Sequence, residues 1–120
     1  MTSLTTLIQT APFDGETRKL IMDKLPTLSA DQKREITELA WTMIAAEYEN
    51  TLTTQTDLML ADMEEGKKIY QPSDFRELSD QLAVDVAKKL ELSGTSDEIK
   101  QVKDQLAQYA TASDQLSNQP

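Results

Sequence analysis

Apolar residues recur at helical spacing through most of this chain, and the longest such run organises the rest. From Ser29 to about Tyr70 no Pro or Gly occurs before Gly66, and the only Trp, Trp41, lies inside the run. On a helical wheel Ile36, Leu39, Ala40, Met43 and Ile44 share one face. Trp41, Tyr48, Leu52, Met59 and Met63 share the neighbouring one. Together they cover nearly half the circumference, the width expected of a helix with neighbours on two sides. Ser29 followed by Gln32 makes a capping-box pattern that sets the start. Lys67 and Lys68 suit a helix C-terminus, so the element is expected over about 30–69. Thr51, Thr53, Thr54 and Thr56 crowd a stretch whose one large apolar residue is Leu52. Each Thr lowers helix propensity, which places a joint near 50–56.

Shorter helical patterns flank it. Leu4, Leu7 and Ile8 predict a helix over about 3–10, broken by Ala11-Pro12. Asp14 is an N-cap candidate for a helix over about 14–25, with Leu20, Ile21, Leu25 and Leu28 as its buried set and Pro26 as its stop. Gln71-Pro72-Ser73-Asp74 reads as a turn in which Ser73 caps a helix over about 74–92. Phe75, Leu78, Leu82, Val86 and Leu90 form its stripe, with Ala83 and Ala87 beside it, and Ser93-Gly94 ends it. Thr95 and Glu98 open a last helix over about 96–112, which carries Ile99, Val102, Leu106, Tyr109 and Ala110. The polar tail 113–120 is expected to fray. These patterns predict an all-α, bundle-like domain, 1–120, with one long central helix and shorter ones around it.

Composition agrees with that class. The apolar fraction is 38 %, with 5 % aromatic residues, so Leu, Ile, Met and Ala must supply the core. Three Gly and four Pro are too few for the turns of a β-sandwich. There is no Cys and no His, which removes thiolate chemistry, the usual zinc sites and the commonest general base. The first ten residues hold no Lys or Arg and no long apolar run, so they do not read as a signal peptide. No segment approaches the ~20 apolar residues of a membrane span, and a cytoplasmic location is the expectation.

Charge adds one unusual feature. The net charge is −9, which disfavours direct binding to nucleic acid or to anionic membranes. Eight acids lie between Glu35 and Glu65, and no Lys or Arg occurs between Arg34 and Lys67. Glu35, Glu38, Glu49, Asp57 and Glu64 fall on the side away from the apolar arc, with Leu60 among them. Solvated helix faces usually mix both signs, and a single-sign face attracts a basic surface. These six residues are the candidate partner-binding set. Glu47 lies on the apolar side and is expected at the core rim, paired with Arg18, Arg76 or Lys88. Asp62, Glu64 and Glu65 do not match a calcium-loop spacing and read as a solvated helix end, so neither metal nor cofactor is expected.

With no nucleophile elbow and no phosphate-cradling Gly loop, catalysis is not expected. Two functions fit. The first is a non-catalytic protein–protein interaction module, an adaptor or small subunit of a larger assembly. The second is an acidic inhibitor that mimics nucleic acid and occupies a basic partner protein. The sequence leaves homo-oligomerisation open.

Overall fold

The computed structural model describes residues 3–92 and 95–117, with side chains as far as Tyr109. It is all-helical over these residues: α1 (Leu4–Thr10), α2 (Gly15–Lys24), a short 3-10 turn (Leu25–Thr27), α3 (Ala30–Glu64), α4 (Pro72–Lys89) and α5 (Ser96–Ser117). The long helix α3 packs against α1, α4 and α5. No helix among the described residues is long and apolar enough to cross a membrane.

Local chemistry explains where the helices begin. The Ser3 hydroxyl accepts from the Thr6 N–H at 3.1 Å and opens α1. Asp14 opens α2, one carboxylate oxygen accepting from the Thr17 N–H and the other from the Thr17 hydroxyl, each at 2.8 Å. One N–H left without a helical partner and one side-chain hydroxyl are satisfied at once, as a two-oxygen cap can do. The Asp14 carboxyl is held below its ordinary value of 3.8 by those bonds to Thr17, the backbone one contributing most. At α3 the capping box is reciprocal: the Gln32 N–H donates to the Ser29 hydroxyl at 3.1 Å, and the Ser29 N–H donates to the Gln32 side chain at 2.9 Å.

α4 starts earlier than expected. Its N-cap is Gln71, not Ser73, and Pro72 is its first residue. Pro is well placed there because its missing N–H has no helical partner at that position. The Gln71 N–H donates to Asp74 at 2.8 Å. At α5 the Glu98 N–H donates to the Thr95 hydroxyl at 3.3 Å. The α5 backbone continues to Ser117, past the boundary at 112, and 118–120 lie outside the described residues.

Two helices end in the same way. α3 stops at Glu64 rather than near 69, because Gly66 turns left-handed at φ 74°. The Lys67 N–H then reaches the Asp62 carbonyl at 2.9 Å and the Gly66 N–H the Met63 carbonyl at 3.1 Å, closing a Schellman motif. Lys67 and Lys68 therefore lie beyond the helix. Lys67 pairs with Glu65 at 2.8 Å, and Lys68 sits 5.0 Å over the Tyr70 ring. α4 ends at Lys89 through the same bonds, Leu92 to Ala87 and Glu91 to Lys88, each 3.0 Å. Here the left-handed residue is Glu91, at φ 61°. Ser93-Gly94, the expected stop, lies outside the described residues.

The core gathers around the first half of α3. Leu7, Ile8, Ala11 and Phe13 meet Ala40, Trp41, Ile44 and Ala45, and Ala87, Leu90, Val102 and Leu106 complete the cluster. The Trp41 ring stacks on Tyr109, centroids 6.2 Å apart and planes 11° from parallel. Burial runs across both predicted faces, through Ala40 and Ile44 on one and Trp41 on the other, and Leu39, at the outer edge of the first, is about half exposed. α2 buries no residue completely. Its Ile21 and Met22, with Leu25 just beyond, only lean on the core, while Leu20 points into solvent. In α4 the flanking Ala83 and Ala87 are fully buried, whereas the larger stripe residues Phe75, Leu78, Leu82 and Val86 are half-buried.

No break interrupts α3 across 50–56. The Thr-rich stretch stays helical because packing on α4 supplies what propensity lacks. The Tyr48 hydroxyl and the Ser79 hydroxyl share a 2.8 Å hydrogen bond that ties the two helices together there.

Candidate functional site

α3 divides into two chemically different halves. Its fully buried residues, Ala40, Trp41, Ile44 and Ala45, all lie in the first half. From Ala46 to Leu82 no residue is fully buried. This stretch is the distal half of α3, the turn after it and the start of α4. It forms a two-helix arm that extends past the core. Its large apolar residues stand partly in water: Ile69 is 81 % exposed, Leu58 57 %, Leu60 46 % and Met63 38 %. Between 46 and 82 there are nine acids and three bases, a net charge of −6 out of the chain's −9.

All five predicted acids, Glu35, Glu38, Glu49, Asp57 and Glu64, are exposed, and Leu60 is exposed with them. They do not form one site. Leu60 is 22 residues from Glu38 and 25 from Glu35, or roughly 33 and 37 Å along a helix rising ~1.5 Å per residue. Glu35 and Glu38 belong to the core end, where the Glu38 charge adds to burial in pushing the Tyr109 hydroxyl above its ordinary 10.0, burial being the larger cause. At the distal end, Leu60 has Asp57 three residues before it, and Met63 and Glu64 three and four residues after it. Those are the spacings at which helical side chains are surface neighbours. Leu60 and Met63 thus make an apolar island with a carboxylate before it and one after it along the helix, both on the Leu60 flank, and Glu49 lies three turns back on the same side. Leu58, two positions from Leu60, points to a different side of α3.

Two expectations need correction. Met63, expected on the buried Trp41 face, is part of the exposed island, since no helix buries α3 fully at that level. Glu47 is exposed and makes no ion pair among the described residues. It borders a cleft of about 210 Å³ between α3 and α4 with Tyr48, Thr51, Asp85 and Lys89. Arg18, one proposed partner of Glu47, is engaged elsewhere, donating to the Ala11 and Phe13 carbonyls at 3.1 Å each. That cleft is smaller than the ~300–1,000 Å³ of typical small-molecule sites. Among the described residues no group of three acids is placed to hold a metal ion.

Ile69 is not marked by periodicity, because it belongs to no apolar stripe. A lone Ile between Lys67-Lys68 and Tyr70, just after Gly66, was the available signal. Compared with protein-family models, with curated proteins and with solved structures, this chain matches none.

Proposed function

We propose that this protein is a non-catalytic protein–protein interaction module, an adaptor or small subunit of a larger assembly in the cytoplasm, which binds its partner through the distal half of α3. One observation carries the reading: Leu60 and Met63 stand exposed side by side, with Leu58 and Ile69 exposed elsewhere on the same arm, in which nothing is fully buried. A two-helix layer is short of neighbours, and an incoming surface that removes these side chains from water gains roughly 25 cal/mol per Å² of apolar area. Exposed apolar groups rimmed by polar ones are the usual mark of such contacts.

A second reading has its own support. Glu35, Glu38, Glu49, Asp57 and Glu64 are all exposed, and none makes an ion pair among the described residues. An acidic row of this kind also fits an inhibitor that presents carboxylates where nucleic-acid phosphates would sit. The two readings part at the core end of α3. Capture of a partner from the native cell should be lost by Leu60→Asp and kept by the double reversal Glu35→Lys, Glu38→Lys. Loss through the reversal, retention in Leu60→Asp and steep release by salt would replace the interaction module with the mimic.

A further inference from the structure

Resting on the interaction reading, we propose that the occupant of the arm is a basic amphipathic helix of another protein, laid along the Leu60–Met63 side of α3. Three features select it. First, the apolar island is narrow. Leu60 and Met63 lie one helical turn apart, a width that suits the apolar stripe of one helix rather than a broad flat surface. Second, the island is bordered by Asp57 and Glu64, with Glu49 further along the same side. Lys or Arg along the edge of an incoming apolar stripe would meet carboxylates at both ends of the Leu60 flank. Third, among the described residues none of these three carboxylates makes an ion pair, so each can accept an incoming cation.

The same charges disfavour the other occupants. A second copy of this chain would bring another arm of net charge −6 against the first, and like-charge contacts suppress association. A nucleic acid or an anionic membrane would meet the same repulsion. A neutral apolar helix would cover Leu60 and Met63 but leave the carboxylates partly desolvated without partners, at a cost.

The test uses the full chain and a designed probe. The probe is a synthetic peptide of about five helical turns with leucines on one face and lysines on the rest. Its controls are a scrambled peptide of equal composition, whose leucines share no face, and a version with Glu for Lys. Hydrogen exchange with the amphipathic basic peptide should protect backbone amides within 49–64. Calorimetry should show binding about tenfold weaker for Leu60→Asp, for Met63→Asp and for the triple reversal Glu49→Lys, Asp57→Lys, Glu64→Lys. Circular dichroism of each variant checks that helix content is kept, as the exposure of these residues predicts. Equal binding of the scrambled peptide would overturn the proposal, since charge alone would then suffice. So would tight binding of the Glu peptide, protection outside the arm only, or sedimentation showing self-association through this surface. If the basic peptide fails while a cellular partner is still captured in a Leu60-dependent way, the basic-helix proposal falls and the interaction module stands. If neither binds through Leu60, both fall.

Discussion

Trp41 of α3 and Tyr109 of α5 lie stacked, ring centroids 6.2 Å apart and planes 11° from parallel. The pair joins the central helix to the last one beside the buried Val102 and Leu106. Native fluorescence should therefore be blue-shifted, moving red on unfolding. Trp41→Ala should cost about 3–5 kcal/mol in denaturant unfolding, a large share of a small domain's stability. An emission spectrum like that of free tryptophan in the native protein would contradict the packing.

The Thr-rich stretch of α3 should open before the rest of the helix. It is helical in the structure, but its neighbours bury nothing completely, while Ala40 to Ala45 are locked in the core. Amide exchange should be faster over 49–57 than over 36–44. Uniform protection from Ala30 to Glu64 would show that packing on α4 fully offsets the Thr propensities.

Glu91 occupies a left-handed position that Gly66 fills at the end of α3. A side chain there strains the backbone, and a negative charge just past a helix C-terminus opposes the helix dipole. Glu91→Gly should raise stability by about 1 kcal/mol, read as a higher denaturant midpoint at unchanged slope. Gly66→Ala should act in the opposite direction; no atom lies within 4 Å of an added Cβ there, so the cost would be conformational alone.

Asp14 gives the acid limb of stability one identifiable component. Its folded-state pKa lies below the ordinary 3.8. Its stabilising effect is therefore complete above the unfolded value and is lost as pH falls through the folded one. Asn also caps well but carries no charge to titrate. Acid titrations of helix content should show a smaller loss below pH ~3.8 for Asp14→Asn than for the wild type. Superimposable acid limbs would assign that loss to other carboxylates.

The parts of this fold legible in the sequence are those decided within a few residues. Ser29 with Gln32 and Asp14 with Thr17 cap helices through atoms three residues away, so residue type and spacing suffice. The all-helical class follows from the same short-range chemistry. The exposure of Leu20 and Leu39 is not legible there, because a helical wheel gives the angular spread of apolar residues but not which part of it has a neighbour. For Leu39 that depends on where α1, α4 and α5 lie, and for Leu20 on how α2 sits against α1 and the turn that follows it, neither of which periodicity encodes. Lys67 and Lys68 point to a later end of α3 than the one observed, because the left-handed turn at Gly66 outweighs two favourable charges. The candidate site was legible only in part. Leu60, Asp57 and Glu64 are neighbours by spacing alone. The separation of Glu35 and Glu38 from them matters only once the core is seen to occupy one end of α3.

Because α3 runs unbroken from the core to the arm, it acts as a ruler and a dial. Ile44 and Leu60 are 16 residues apart, which fixes an offset of about 24 Å and a rotation of about 160° between the core contact and the exposed island. Neither quantity can drift without melting the helix. One residue inserted after Leu52 would swing Leu60 by about 100° and lengthen the rod by only ~1.5 Å. Seven residues inserted there, with seven more in the facing part of α4, would carry the island about 10 Å outward while returning it to nearly the same heading. The reach and aim of the arm are thus written in the residue count of one helix, separately from the chemistry displayed at its end.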